Sequence, residues 1–251
     1  MAQLIVAGNA TPSQVLTGAT FSAGVNYNAA GTMPNNGALN LSGKTAGIYP
    51  AGYYSSVTIP GWMALTSDTT ARNSLAAVYD SADSLTIAVD GENSYAYLTT
   101  VTAYSHSSNA WATLAGDTTA RISLAAVYDS ADSLTIAMDG YNRSNLSTVT
   151  GYSHASNAWT TLAGDTTARY YLAAVYDSAD SLTIAVDGSN GSAYLTTVTG
   201  YSHASNAWTT LASDTTTRDL LAAVYDSADS LTIAVDGYNG SKLSTVTAFI
   251  Y

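Results

Sequence analysis

The chain has 251 residues, of which 47% are hydrophobic and only 10% charged, with a formal net charge of -11 and no cysteine. An acidic chain with seven Lys and Arg residues is a poor match for a nucleic-acid backbone or an anionic membrane surface, and disulfides are excluded. Residues 1–12 lack the basic start and apolar run of a signal peptide, and no stretch approaches a membrane span, so neither a cleaved leader nor a membrane anchor is expected.

Residues 1–59 form the first segment. They are rich in Gly, Asn, Ala, Ser and Thr, with turn signals at Pro34-Asn35-Asn36-Gly37 and Pro50-Ala51-Gly52. Short β-prone pieces at 14–16, 38–41 and 56–59 bury little surface alone. They predict a small β module that needs neighbours or self-association.

Residues 60–251 are organised differently. The sixteen-residue stretch that starts Ala76-Ala77-Val78-Tyr79-Asp80 recurs at Ala125, Ala173 and Ala222, and only Val89, which becomes Met138, differs. The starts are 49, 48 and 49 residues apart, a period that signals a propeller or solenoid. In the second unit, 123–128 is a short strand and 129–133 a turn. Residues 134–139 alternate large and small side chains with the period of a strand. A third strand covers 146–152, a turn 153–157 and a fourth strand 158–162. Each unit is therefore a four-stranded antiparallel meander. Both faces carry apolar or small residues, which fits sheets stacked around an axis.

The landmarks of this unit resemble the kelch repeat. An Arg precedes the first strand (Arg72, Arg121, Arg169, Arg218). An aromatic residue ends the third (Tyr104, Tyr152, Tyr201, Phe249), and Asn-Ala-Trp opens the fourth at Trp111, Trp159 and Trp208. Trp62 lacks the Asn. The family's diglycine is Asp-Gly here, at Asp90, Asp139, Asp187 and Asp236. The resemblance implies a four-bladed kelch-like β-propeller over 60–251. In the first segment, residues 15–22, 31–38 and 48–54 resemble in order three pieces of a module found in tail-associated proteins of phages and prophages of Gram-positive bacteria. That resemblance implies a particle-attached oligomer.

Strand arithmetic suggests how the ring closes. The last unit stops after its third strand, 243–249, while 61–65 is a fourth strand with no partners before it. Pairing the two completes four equal blades and removes two exposed sheet edges. A half ring that joins a second chain to make eight blades satisfies the same count.

No nucleophile elbow, phosphate loop or zinc spacing is present, and the protein is expected to be a non-enzyme without metal or cofactor. Asp80 and Asp83 read as turn residues rather than calcium ligands, and His106, His154 and His203 as turn residues rather than bases. The four Trp are expected to anchor blade to blade, and each Arg to pair with an Asp of the Asp-Gly set. A ring of carboxylates that binds cations near the axis is the alternative for those Asp.

The units differ in two places. One follows the Arg: Asn73, Ile122, Tyr170 with Tyr171, and Asp219. The other follows Asp-Gly: Glu92, Asn93, Tyr95 and Tyr97; Tyr141, Asn142, Arg143 and Asn145; Asn190 and Tyr194; Tyr238, Asn239 and Lys242. In a meander both sets fall at one end of the sheets. A face rich in Tyr and Asn suits sugars or protein. The expected function is a phage-like tail-fibre or tail-tip protein. Its propeller face would bind a host-surface glycan or protein, and residues 1–59 would join other tail proteins. The expected state is a homo-oligomer, with a trimer favoured, on a virion or tail-like particle outside the cell. A decoration or filament subunit is the alternative.

Overall fold

The computed structural model describes strand residues 3–5, 20–23, 26–30, 38–40 and 56–58 and everything from 64 to 251. The chain divides into two compact units, Met1–Leu65 and Thr66–Tyr251. In the first, β1 (Gln3–Ile5) pairs in parallel with β2 (Thr20–Ala23), and β2 pairs antiparallel with β3 (Asn26–Ala30). A second, two-stranded sheet pairs β4 (Ala38–Asn40) in parallel with β5 (Ser56–Thr58), on two of the three β-prone pieces. The third piece, 14–16, and Trp62 lie outside the described residues.

The second unit consists of four antiparallel sheets arranged as four β-propeller blades. Among the described residues there is no helix. Blade 1 contains β6 (Ala76–Asp80), β7 (Leu85–Val89), β8 (Val101–Ser105) and β9 (Ala110–Thr113). Blade 2 contains β10 (Ala125–Asp129), β11 (Leu134–Met138), β12 (Val149–Ser153) and β13 (Ala158–Thr161). Blade 3 contains β14 (Ala173–Asp177), β15 (Leu182–Val186), β16 (Val198–Ser202) and β17 (Ala207–Thr210). Blade 4 has three strands, β18 (Ala222–Asp226), β19 (Leu231–Val235) and β20 (Val246–Phe249).

Local chemistry explains each meander. The Asp80 carboxylate accepts from the amides of Ala82 at 3.0 Å and Asp83 at 3.2 Å, so it shapes the first hairpin rather than reaching outward. Asp129 and Asp177 repeat those bonds. Asp90 ends the second strand in the left-handed region, at φ 58°, where Asp is tolerated better than most residues. Gly91 follows at φ 98°, and a Cβ there would stand 2.6 Å from the Asn73 carbonyl oxygen. The second position must therefore be Gly while the first need not be.

The core lies between blades. Ile87, Val89, Val101 and Ala103 of blade 1 pack on Leu124, Ala137 and Tyr152 of blade 2. Val127, Ile136, Met138 and Val149 of blade 2 meet Leu172, Ala185 and Tyr201 of blade 3. Val175, Ile184, Val186 and Val198 of blade 3 meet Leu221 and Ala234 of blade 4. Each blade thus turns a face of branched aliphatics to the next blade, which answers with Ala, Leu and an aromatic. The small Ala residues let twisted sheets approach closely. Full burial of one such aliphatic is worth about 1.5–3 kcal/mol.

Trp159 and Trp208 are half-buried at these contacts. Each lies flank-on to a core Tyr, with ring centroids 5.3 Å apart. Their indole N–H groups donate back to the incoming chain, at Ala115 O (2.9 Å) and Ala163 O (2.8 Å). The preceding Asn completes the clamp: the Asn157 side-chain oxygen accepts from Ala115 N and from the Tyr152 hydroxyl, both at 2.9 Å.

Candidate functional site

Two regions follow from the repeat: the seams between blades and the face that bears the variable residues.

At each internal seam one guanidinium is fully enclosed. Arg121, with no exposed surface, donates from Nε to Asp90 Oδ2 of the preceding blade at 3.1 Å and from Nη2 to Asp117 Oδ2 at 2.6 Å. Its Nη1 donates to Thr148 O at 2.7 Å, and Nη2 also reaches the Thr150 hydroxyl. Arg169 repeats this with Asp139 (3.2 Å) and Asp165 (2.6 Å), and Arg218 with Asp187 (3.0 Å) and Asp214. The Arg–Asp pairing is therefore made three times. The remaining pair behaves differently: Arg72 Nε has no partner, and Asp236 is exposed.

Two carboxyls face one cation at every seam. Burial, followed by the Asp117 charge, pushes the Asp90 carboxyl up to about 9 against the pull of Arg121. Asp139 is raised well above its ordinary value by burial and by Asp165, and Asp187 to about 8 by burial and the neighbouring Asp214 carboxyl. Bond lengths agree. The contacts to Asp117 and Asp165 are short, as charge-assisted bonds are, whereas those to Asp90 and Asp139 are long. The second oxygens of Asp90, Asp139 and Asp187 have no partner. A carboxyl that keeps its proton avoids a surplus buried charge. At three seams these Asp residues are thus engaged by the Arg of the next blade.

The second acid of each seam, at Asp117, Asp165 and Asp214, went unnoticed in the sequence. The available signal was an Asp four residues before every Arg in Asp-Thr-Thr-x-Arg.

The variable face collects both variable sets. The residue after each Arg and the residue after each Asp-Gly exchange backbone hydrogen bonds, as in Asn73 with Glu92 and Ile122 with Tyr141. Tyr170 does so with Ser189, and Asp219 with Tyr238. The next residues, Ser74, Ser123, Tyr171 and Leu220, all have φ between 52° and 55°. They hand a backbone bond from blade to blade: Ser123 N to Ser74 O, Tyr171 N to Ser123 O, and Leu220 N to Tyr171 O, each 2.9 Å. A bulky Tyr at such a φ is uncommon, and Tyr171 keeps 38% of its surface exposed there.

Tyrosines run across the blades on this face. Tyr97 meets Tyr141 at 6.4 Å, Tyr141 meets Tyr170 at 5.6 Å, and Tyr170 meets Tyr171 at 4.8 Å; Tyr194 and Tyr238 pair at 5.7 Å. Between the loops of blades 1 and 2 lies a polar groove of about 550 Å³, lined by Glu92, Asn93, Tyr95, Tyr97, Asn142 and Arg143. Tyr95 stands 95% exposed beside it. A smaller cleft of about 250 Å³ is lined by Ile122, Tyr141, Tyr170 and Tyr171. Asn145 donates to the Asn190 carbonyl and ties neighbouring loops. Asn239 and Lys242 lie in the blade-4 loop, where Lys242 is bridged to Tyr238.

Asp219 departs from the expectation of a surface contact. It is 6% exposed, its Oδ1 has no partner, and burial raises its pKa. It lies beneath the face. On the opposite end, Asp80, Asp83 and His154 approach within 4.8 Å, and His203 Nδ1 pairs with Asp132 at 2.9 Å. Asp80 is already engaged by its own turn, and the His203–Asp132 contact joins neighbouring hairpins.

Compared with models of known protein families the chain matches none, and no curated protein matches it.

Proposed function

We propose that the protein is a non-enzymatic binding module whose variable propeller face takes a host-surface ligand, carbohydrate first among the classes that fit. The observation that carries this is the polar groove between the loops of blades 1 and 2. It sets exposed phenol rings beside amides, one carboxylate and one guanidinium, the side-chain set that stacks on sugar rings and bonds hydroxyls. Opposite this face, the Asp-Ser-Ala-Asp-Ser hairpin is identical in all four units and the Ser-His-x-Ser-Asn turn nearly so in three, so variation is concentrated at one end. In this reading residues 1–59 fasten the protein to a phage-tail-like particle as a homo-oligomer, supported by the order of their sequence pieces. The kelch-like order of Arg, aromatic and Asn-Ala-Trp supports the propeller as a display scaffold.

The test is binding to an array of bacterial surface polysaccharides. Tyr95→Ala and Arg143→Ala should each weaken binding about tenfold, equal to about 1.4 kcal/mol, with unchanged melting temperature. Retained binding in both variants contradicts the groove.

A further inference from the structure

The internal seams supply a template for the two ends of the blade array, and each end carries one half of that template. On blade 4, the face that would meet a following blade is bare: Val224 is 55% and Val246 60% exposed. Their counterparts Val127 and Val149 are 6% and 0% exposed. Asp236 is exposed where Asp90, Asp139 and Asp187 are enclosed, and the Leu220 carbonyl receives no amide from Ser74. At blade 1 the complementary groups wait. Arg72 Nε is unpartnered, and Tyr79 is 59% exposed where Tyr128 and Tyr176 are half-buried against the previous blade. The packing of β10 on β6, β14 on β10 and β18 on β14 is not repeated by β6 on β18. The two halves therefore match in charge and shape but do not meet within one array.

Two further features specify what lies between them. Thr66 enters blade 1 as Ala115 enters blade 2. Its amide donates to the Asn109 side chain at 3.2 Å, and its carbonyl accepts the Trp111 indole at 2.9 Å. In the repeat, the strand just before Ala115, β9, belongs to the blade that precedes blade 2. Meanwhile β20 has one neighbour, β19, among the described residues. Beside it opens a cleft of about 230 Å³ lined by Val186, Val198, Ala212 and Phe249. In blades 2 and 3 the equivalent place, between the core Tyr and the incoming Ala carbonyl, holds Trp159 and Trp208. In the repeat, the residue in register with Phe249 is Trp62.

We infer that the occupant of this end is a second copy of this chain, which lays residues 61–65 along β20 as the missing fourth strand and seats its Trp62 in the cleft. Arg72 of that copy then meets Asp236, Ser74 meets Leu220, and His106 takes the place beside Asp229 that His203 takes beside Asp132. The relation is reciprocal, so two chains close an eight-bladed ring with two identical seams. Two copies stay within the usual four to eight blades, and three would not.

The cysteine-free chain permits a direct test. In the repeat Ser153 pairs with Ala158 and Ser202 with Ala207, so Ile250 and Gly61 are the corresponding pair at the open edge. The full chain carrying Gly61→Cys and Ile250→Cys is oxidised and run without reductant. A covalent dimer, with wild-type native mass at twice the chain mass, is the expected result. Val246→Lys, at a site exposed in a single array, should abolish the cross-link without altering the circular dichroism spectrum. A disulfide within one chain, a ladder of larger species, no cross-link, or a dimer untouched by Val246→Lys overturns the inference.

Discussion

The seam of blades 2 and 3 makes a quantitative prediction through Asp139→Asn. Asp139 is fully buried, 3.2 Å from Arg169 Nε, with its other oxygen unpartnered. Burial and the adjacent Asp165 raise its carboxyl well above the usual range, which favours the neutral acid, the form that Asn resembles. The substitution keeps the oxygen that accepts from Arg169 and changes the unpartnered side. The bond from Arg169 is retained, so the expected loss is about 1 kcal/mol or less. Asp165→Asn is the contrast. Asp165 makes the 2.6 Å contact to Arg169 and accepts from the Thr199 hydroxyl at 3.1 Å. Its loss strands a buried guanidinium and should cost about 3–5 kcal/mol. Urea unfolding of both variants at pH 7 separates them. Equal losses, or a greater loss for Asp139→Asn, would refute the protonated-seam reasoning.

The same chemistry sets the response to pH. An unfolded Asp loses its proton near 3.8, whereas folded Asp90 and Asp187 hold theirs to about 9 and about 8. Folding therefore takes up protons between these values. The stabilising contribution is complete below about 4 and is lost as pH rises toward 8–9, so the melting temperature should fall from pH 5 to pH 9; a rise would contradict the assignment. Gly140→Ala should destabilise by about 1–3 kcal/mol, because φ is 95° and the new Cβ would stand 2.7 Å from Ile122 O; an unchanged denaturation midpoint would contradict this. Trp159→Ala should cost about 2–3 kcal/mol, below the 3–5 of a fully buried Trp, since the ring is half-exposed and also loses one hydrogen bond to Ala115; calorimetry checks it.

Much of the blade was legible because the same solution is written four times. A hairpin that depends on Asp80 and a bend that requires Gly91 leave local marks in any sequence, and repetition removes the ambiguity of short apolar runs. The proximity of the two variable sets followed from meander geometry alone. What remained hidden was non-local. Nothing adjacent to Asp117 shows that its carboxylate reaches Arg121 alongside an acid from another blade. Asp219 reads as a surface contact because it falls in the variable set after the Arg, yet it is enclosed while Asn73 and Tyr170 at equivalent positions are more exposed. The Trp residues were legible as anchors, but their degree of burial depends on where the incoming strand passes.

The central claim is that the repeated end of the propeller is scaffold and the variable end binds. Its most direct test is binding of the full chain to host-surface polysaccharide when each end is altered in turn. Tyr95→Ala and Arg143→Ala on the variable end should weaken binding about tenfold, while Ser130→Ala in the invariant hairpin should bind as the unaltered protein does. Binding that survives the first two changes and fails with the third would place the function on the wrong end.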